Sequence, residues 1–195
     1  MSGRRFSDAD LAYIHREYRT LEDLCAGRSE SPAEVSALID ERKLPGPSYV
    51  LDDGTPMFPP DYFRLLDEAG GVARLREHFA ERHRAAGARH APADELEDDW
   101  NAYLDGTYGI CLSEVTPDGM VRKTAIVSSL CELLMLPRPG NAGWRRDLRE
   151  RVEKLDALER EFAPDFDRGP EQERPPTRDL LVEAARERFP KVFDE

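Results

Sequence analysis

Apolar side chains recur every three or four residues along most of this chain, which is the spacing of a helix with one buried face. The longest stripe runs from Trp144 to Phe162 over about five turns, with charges of both signs on its other face. Shorter stripes lie within residues 8–19, 31–43, 72–86, 94–104, 116–134 and 177–189. The pattern therefore predicts a mainly α fold.

Short polar signals mark where several of these helices begin. Ser7 precedes two acidic residues and is predicted to cap the first helix, and Ser31-Pro32-Ala33-Glu34 is a capping box with proline in the first turn. Asp94 and Thr177 are predicted to cap later helices in the same way. Residues 87–93, GARHAPA, are predicted to be a linker.

One stretch departs from the helical pattern: LPGPSYVLDDGTPMFPPDYF, residues 44–63. Two short apolar runs flank Asp53-Gly54, and an Asp-Gly pair between such runs is the strongest short-range signal for a β-hairpin. Pro56 confines its strand to a sheet edge, because proline lacks the backbone donor. Four apolar side chains are predicted to pack this hairpin against the helical remainder: Tyr49, Leu51, Met57 and Phe58.

The order of elements in residues 7–68 resembles the winged helix-turn-helix of MerR-type regulators. That resemblance implies a third helix in the DNA major groove and a hairpin on the phosphates, which requires basic or amide side chains on both. Residues 1–68 instead carry 8 basic and 14 acidic residues, with Asp52 and Asp53 at the hairpin tip. We expect the shape without the DNA-binding surface. The predicted division is a winged helix-turn-helix-like part, 1–68, and a helical part, 69–195, packed together as one unit.

The charge of the whole chain also argues against an anionic partner. Its 195 residues include 28 basic and 40 acidic ones, a net charge of −12, which repels nucleic acid and anionic lipid. No apolar run approaches the roughly 20 residues of a membrane span, and the first residues lack the apolar segment of a signal peptide. We therefore expect a cytoplasmic protein with no membrane partner. Three widely separated cysteines are predicted to be buried free thiols: Cys25, Cys111 and Cys131.

Side chains capable of chemistry concentrate between residues 103 and 123. As an active site, this segment would use Asp105 or Tyr108 for proton transfer and Cys111 as the nucleophile. Arg122 and Lys123, near the start of the helix that Thr116-Pro117 opens, would bind an anionic group of the substrate. The alternative is structural: Asp105 caps a turn, Tyr108 and Cys111 pack, and both cations are solvated. The spacing matches no known triad, P-loop or nucleotide motif, so both interpretations stay open.

Histidines and acidic residues elsewhere do not predict a metal site. His78 and His83 are five residues apart, about 140° around a helix, whereas two ligands of one ion need a spacing of three or four. The acidic run within residues 94–99 is explained by a solvated helix start. We expect no cofactor.

A second resemblance extends through nearly the whole chain. It rests on TLEDLCAGR (residues 20–28), the hairpin stretch, YLDGTYGICLSEVTPDGMVRK (103–123) and WRRDLRERVEKLDALEREFAPDFDR (144–168). Together these look like an uncharacterised family of small bacterial proteins, encoded mostly in high-GC Gram-positive bacteria and sometimes beside natural-product biosynthesis genes. The resemblance implies a biosynthetic context and offers no catalytic residues.

Three classes of function follow from these observations. The first is a protein of natural-product biosynthesis that acts on, or holds, a small polar or carrier-protein-bound intermediate. The second is a MerR-like transcriptional regulator, which the outline of residues 7–68 favours and their charge opposes. The third is a non-catalytic accessory protein with a protein partner.

Overall fold

A computed structural model of the chain describes residues 5–87, 93–169 and 175–194. Its elements are α1 (Asp8–Glu17), α2 (Leu21–Cys25), α3 (Pro32–Asp40), β1 (Tyr49–Val50), β2 (Pro56–Met57), α4 (Arg64–Ala69), α5 (Val72–Ala86), α6 (Ala93–Leu104), α7 (Thr107–Cys111), α8 (Pro117–Met135), α9 (Ala142–Leu158), a π-helix (Arg178–Glu183), α10 (Ala184–Arg188) and α11 (Pro190–Phe193). The prediction of a mainly α fold with one antiparallel hairpin is confirmed. Most of the predicted linker, residues 88–92, lies outside the described residues, as does the side chain of Asp94.

Among the described residues, side-chain caps mark the beginnings of α1, α2, α3, α8 and α9. Ser7 and Ser31 form capping boxes with Asp10 and Glu34, as predicted. Thr177 was predicted to be a cap, and that prediction is wrong: its hydroxyl donates to the carboxyl of Glu159, and the segment after it begins as a π-helix. The α9 stripe also ends earlier than predicted, at Leu158.

The hairpin is short and packs on its apolar face. Tyr49 pairs with Met57, and Val50 with Pro56. The side chains of Tyr49, Leu51 and Met57 are buried in a cluster with α1 and with Ala163. Phe58 is buried in the neighbouring core beside residues of α5 and α8. Packing of the hairpin against the helical remainder is thus confirmed.

Two larger apolar cores organise the helices. The first joins residues on both sides of residue 68, among them Leu21 and Phe58 before it and Phe79, Tyr103 and Leu112 after it. The second lies between the later half of α8, α9 and the π-helix with α10 and α11. Because α8 contributes to both cores, it connects them.

Two buried carboxyl groups fix the segment after α9 to the N-terminal helix and the hairpin. Asp10 accepts the backbone N–H groups of Asp165 and Phe166 at 2.9 and 3.1 Å. Asp167 accepts the hydroxyl of Tyr49 at 2.6 Å and the N–H of Ala163 at 2.7 Å. The bond to Tyr49 spans 118 residues and the two bonds to Asp10 span 155 and 156, so these three tie the last third of the chain to the first.

Within the described residues, no helix is both long and apolar enough to cross a membrane. The cysteines differ in exposure: Cys25 is buried, Cys111 is partly buried and Cys131 is exposed. The prediction of a buried thiol is therefore wrong for Cys131, which lies on the outer face of α8.

Candidate functional site

The short helix α7 is held in place by close backbone contacts with the segment before the hairpin. Gly106, which precedes α7, has φ of +75°, and a Cβ atom there would lie 2.6 Å from the carbonyl oxygens of Gly46 and Pro47. The hydroxyl of Tyr18 donates to the carbonyl of Gly109 at 3.0 Å. Because these contacts occupy one side of α7, Tyr108 and Cys111, three residues apart, share another side.

Backbone bonds bring the end of α7 beside the end of α9. The N–H of Arg160 donates to the carbonyl of Cys111 at 2.9 Å, and the N–H of Ser113 donates to Leu158 at 3.0 Å. Leu112 and Glu159 form an isolated antiparallel bridge. Glu159 is thereby brought to the side of α7 and α8 where Cys111 and Lys123 lie.

The side chains that meet here form what we call the Lys123 cluster: Cys111, Lys123, Glu159 and Thr177. Lys123 Nζ lies 2.8 Å from Glu159 Oε1, and the two side chains are only 12% and 0% exposed. The hydroxyl of Thr177 donates to the same carboxyl oxygen. The other oxygen, Glu159 Oε2, is buried and has no hydrogen-bond partner among the described residues.

Burial and charge shift the ionisation of the cluster. Burial raises the pKa of the Cys111 thiol, and the nearby Lys123 only partly opposes this. Burial disfavours the charged form of Lys123, but interactions with Cys111 and Glu159 outweigh it and raise the pKa of the ammonium. At neutral pH the cluster therefore holds a charged lysine beside a protonated thiol.

A second group, the Asp99 triad, consists of His83, Asp99 and Tyr108. His83 Nε2 lies 2.8 Å from Asp99 Oδ2, and the hydroxyl of Tyr108 donates to the other oxygen of Asp99. His83 is buried and its ring stacks on Phe79. Burial and the hydrogen bond to Asp99 raise the pKa of Tyr108, so its phenol stays protonated. Tyr108 and Cys111 link the triad to the Lys123 cluster through α7.

The structure brings together three of the five residues singled out from the sequence. Tyr108, Cys111 and Lys123 lie in or beside the two groups just described. Asp105 is exposed and pairs with Arg42 at 2.9 Å, while Arg122 is exposed and donates to the carbonyl of Asp118 on its own helix. No three histidine, cysteine or acidic side chains within the described ranges converge on a point that could hold a metal ion.

Comparison with protein families gives a match over residues 72–190, to the family of unknown function DUF6058. The chain belongs to this family. No curated protein and no solved structure matches the chain. All seven residues of the two groups fall within the part that matches DUF6058, whereas α1 to α4 and the hairpin precede it.

No role in this site was predicted for its other polar residues, although a signal was present. Asp99 was counted in a solvated acidic run, and that prediction is wrong because its side chain is buried between His83 and Tyr108. His83 continues the apolar stripe of α5 four residues after Phe79, and Asp99 lies three residues after Leu96 on the buried face of α6. Glu159 follows Leu155 by four residues on the stripe of α9. Each is a polar side chain at a position where the helical period places the core, and buried polar groups of this kind need partners.

Proposed function

We propose that this protein acts in natural-product biosynthesis by holding a small polar intermediate at the Lys123 cluster. The observation that carries the proposal is Glu159 Oε2, a buried carboxyl oxygen to which no group of the described residues donates. Leaving such a group unpaired costs about 1–3 kcal/mol, and a donor from a bound molecule would recover this cost. The biosynthetic context is supported by the sequence resemblance of four segments of the chain.

The cluster favours a ligand that carries both a donor and an acceptor. Glu159 Oε2 would accept an amino or hydroxyl group, and the ammonium of Lys123 has three donors, of which one reaches Glu159. A remaining donor of Lys123 would bind a carboxylate or carbonyl oxygen. Amino acids and their derivatives and amino sugars combine these groups within a few ångströms.

Holding the intermediate is better supported than covalent chemistry on it. A nucleophilic cysteine requires a thiolate, and burial raises the pKa of Cys111 away from that state. A protonated Tyr108 phenol adjacent to Cys111 could donate a hydrogen bond to a ligand if it left Asp99. We therefore assign ligand binding to Lys123 and Glu159, and Cys111 lines the site as an uncharged thiol.

DNA binding receives less support from the same structure. The exposed residues of α3 include Glu34 and Asp40, and the basic residues just after it are paired with carboxylates: Arg42 with Asp105 and Lys43 with Glu41. Phosphate neutralisation provides much of the affinity of such complexes, and these cations are already engaged.

The proposal is tested by ligand-dependent stability together with genetic complementation. Amino acids, amino sugars and polyols are screened for a rise in melting temperature, since a ligand at 100 times its Kd stabilises by about 2.7 kcal/mol. Glu159→Gln replaces the free acceptor by a donor and should abolish the rise. Glu161→Gln is the matched control, because that side chain is 72% exposed and two residues away.

In the native host, deletion of the gene should remove or alter a specialised metabolite. Wild type and Glu161→Gln should restore it, and Glu159→Gln present at equal soluble level should not. An unchanged metabolite profile after deletion would overturn the biosynthetic context. Full complementation by Glu159→Gln, or a crystal structure with one ordered water on Oε2 and no ligand response, would leave the cluster only a structural role.

A further inference from the structure

The corner between α8 and α9 exposes apolar side chains that the second core does not cover. Met135 is 78% exposed and Leu136 is 68% exposed, the two highest values among the large apolar residues of the described chain. They follow Leu133 and Leu134, which are partly buried against the second core. Two adjacent apolar side chains at a helix end form a small apolar patch in contact with solvent, which is a feature of interaction sites.

Arginines lie close to this patch although the chain as a whole is acidic and the exposed Glu132 and Glu187 border it. From Leu133 to Arg146 the sequence contains three arginines and no acidic residue. Arg138 and Arg146 are exposed, and Arg145 donates to the carbonyl of Pro139 within the connecting segment. Arg188 reaches the same corner, because its guanidinium donates to the carbonyl of Leu134.

These cations have spare binding capacity. Among the described residues, no carboxylate forms an ion pair with Arg138, Arg145 or Arg188, and Asp147, which bounds the stretch, lies 3.6 Å from Arg146. Each guanidinium has five donors, and those of Arg145 and Arg188 that contact backbone carbonyls account for only part of them. Arginine around an apolar centre is the composition that distinguishes protein interfaces from ordinary surface.

We propose that this α8–α9 corner docks an acidic protein helix of a carrier protein, with Met135 and Leu136 against its apolar side chains and the arginines against its carboxylates. The occupant follows from charge complementarity. The net charge of −12 repels any acidic partner at long range, but this repulsion is screened beyond about 8 Å at physiological salt. A local positive corner therefore selects where an acidic helix can bind.

The corner is separate from the Lys123 cluster. Lys123 and Met135 are 12 residues apart on α8, which is about 18 Å along a helix. The choice of a carrier protein as partner rests on the proposed function, since a biosynthetic intermediate can arrive on such a carrier. The inference that this corner is a binding surface depends only on the residues of the corner.

The test uses biolayer interferometry of the full chain against immobilised acyl carrier protein at 50 and 300 mM salt. One variant removes the apolar centre, Met135→Ser with Leu136→Ser, and another reverses two exposed charges, Arg138→Glu with Arg146→Glu. The matched control changes an exposed apolar residue and an exposed arginine elsewhere, Val50→Ser with Arg74→Glu. Double-stranded DNA and vesicles with phosphatidylglycerol serve as other anionic probes.

Three results together would support the proposal. The wild type binds the carrier protein more weakly at high salt, both corner variants lose at least about tenfold in affinity, and the control keeps its affinity. No binding to the carrier protein, equal loss in the control, or stronger binding to DNA or vesicles would overturn it. The small-molecule melting response is measured on the same corner variants. In both corner variants the melting response should persist while carrier binding falls. In the wild type, a melting response without any carrier binding would show that this inference fails and the proposed function stands, whereas carrier binding without a melting response would show that the small-molecule site fails.

Discussion

Replacing Gly106 by alanine tests whether the segment before the hairpin really closes against the start of α7. The residue has φ of +75°, and its added Cβ would lie 2.6 Å from two backbone carbonyl oxygens, those of Gly46 and Pro47. The N–H of Gly46 also donates to the carbonyl of Leu104 at 2.8 Å. Because the contacting atoms are backbone, no side-chain rotation can relieve the overlap.

The expected loss of stability in Gly106→Ala has two contributions, and the same substitution at a second glycine isolates one of them. A left-handed conformation costs a non-glycine residue about 1–2 kcal/mol. Gly54 at the hairpin tip has φ of +88° and nothing within 4 Å of an added Cβ, so Gly54→Ala should cost only that amount. Gly106→Ala adds an overpacking cost of about 1–3 kcal/mol. We therefore expect about 2–5 kcal/mol for Gly106→Ala.

The free energies of unfolding are measured by urea denaturation of wild type and both variants, monitored by tryptophan fluorescence and circular dichroism. Coincident transitions would show that the hairpin segment and the α6–α7 junction unfold together. Equal losses for Gly106→Ala and Gly54→Ala, within about 0.5 kcal/mol, would refute the close approach and with it the account of how α7 is positioned.

The remaining predictions concern the segment after α9 and DNA. Burial opposes the ionised form of Asp10, but backbone hydrogen bonds from Asp165, Ser7 and Phe166 lower its pKa. The ionised side chain therefore stabilises the fold at pH values above the ordinary carboxyl pKa, and this stabilisation is lost as pH falls through the lower native pKa. Burial raises the pKa of Asp167, so its ionised form lowers stability as pH rises. In urea titrations at pH 7, Asp10→Asn should therefore lower the free energy of unfolding by about 1–3 kcal/mol, and Asp167→Asn should lower it by less. The difference between the two variants should shrink at pH 3, and equal losses at pH 7 would contradict this. In a gel-shift titration at about 50 mM salt, labelled promoter DNA should show no complex at micromolar protein, and a specific shift would refute our interpretation of the N-terminal surface.

The parts of the fold that could be predicted from the sequence are those set by neighbouring residues. Ser7 and Ser31 cap their helices through bonds that span three residues, and Asp53-Gly54 turns the hairpin locally. Thr177 shows the limit of such reasoning. Its hydroxyl could cap a helix, but Glu159, 18 residues away, offers a buried charged acceptor, and a charge-assisted hydrogen bond is the stronger one.

The candidate site could be predicted only in part for the same reason. Tyr108 and Cys111 are three residues apart on one short helix, so their proximity is local. Arg122 and Lys123 are adjacent on α8 and point about 100° apart. Tertiary packing buries Lys123 beside Glu159 and leaves Arg122 exposed. Glu159 comes 36 residues later, and only the backbone bridge between the ends of α7 and α9 brings it to the lysine.

This arrangement indicates a structural role for the N-terminal elements. A DNA-binding wing presents basic side chains to phosphates, but the exposed tip of this hairpin carries Asp52 and Asp53. Its side chains Tyr49 and Met57 are buried with α1 and Ala163. The part of the chain that matches DUF6058 starts at residue 72, yet Tyr18 from before that point donates to Gly109 in the middle of α7. Residues 5–71 therefore contribute to the position of the helix that carries Tyr108 and Cys111. These N-terminal elements hold that helix in place, because their apolar faces pack into the cores beside it.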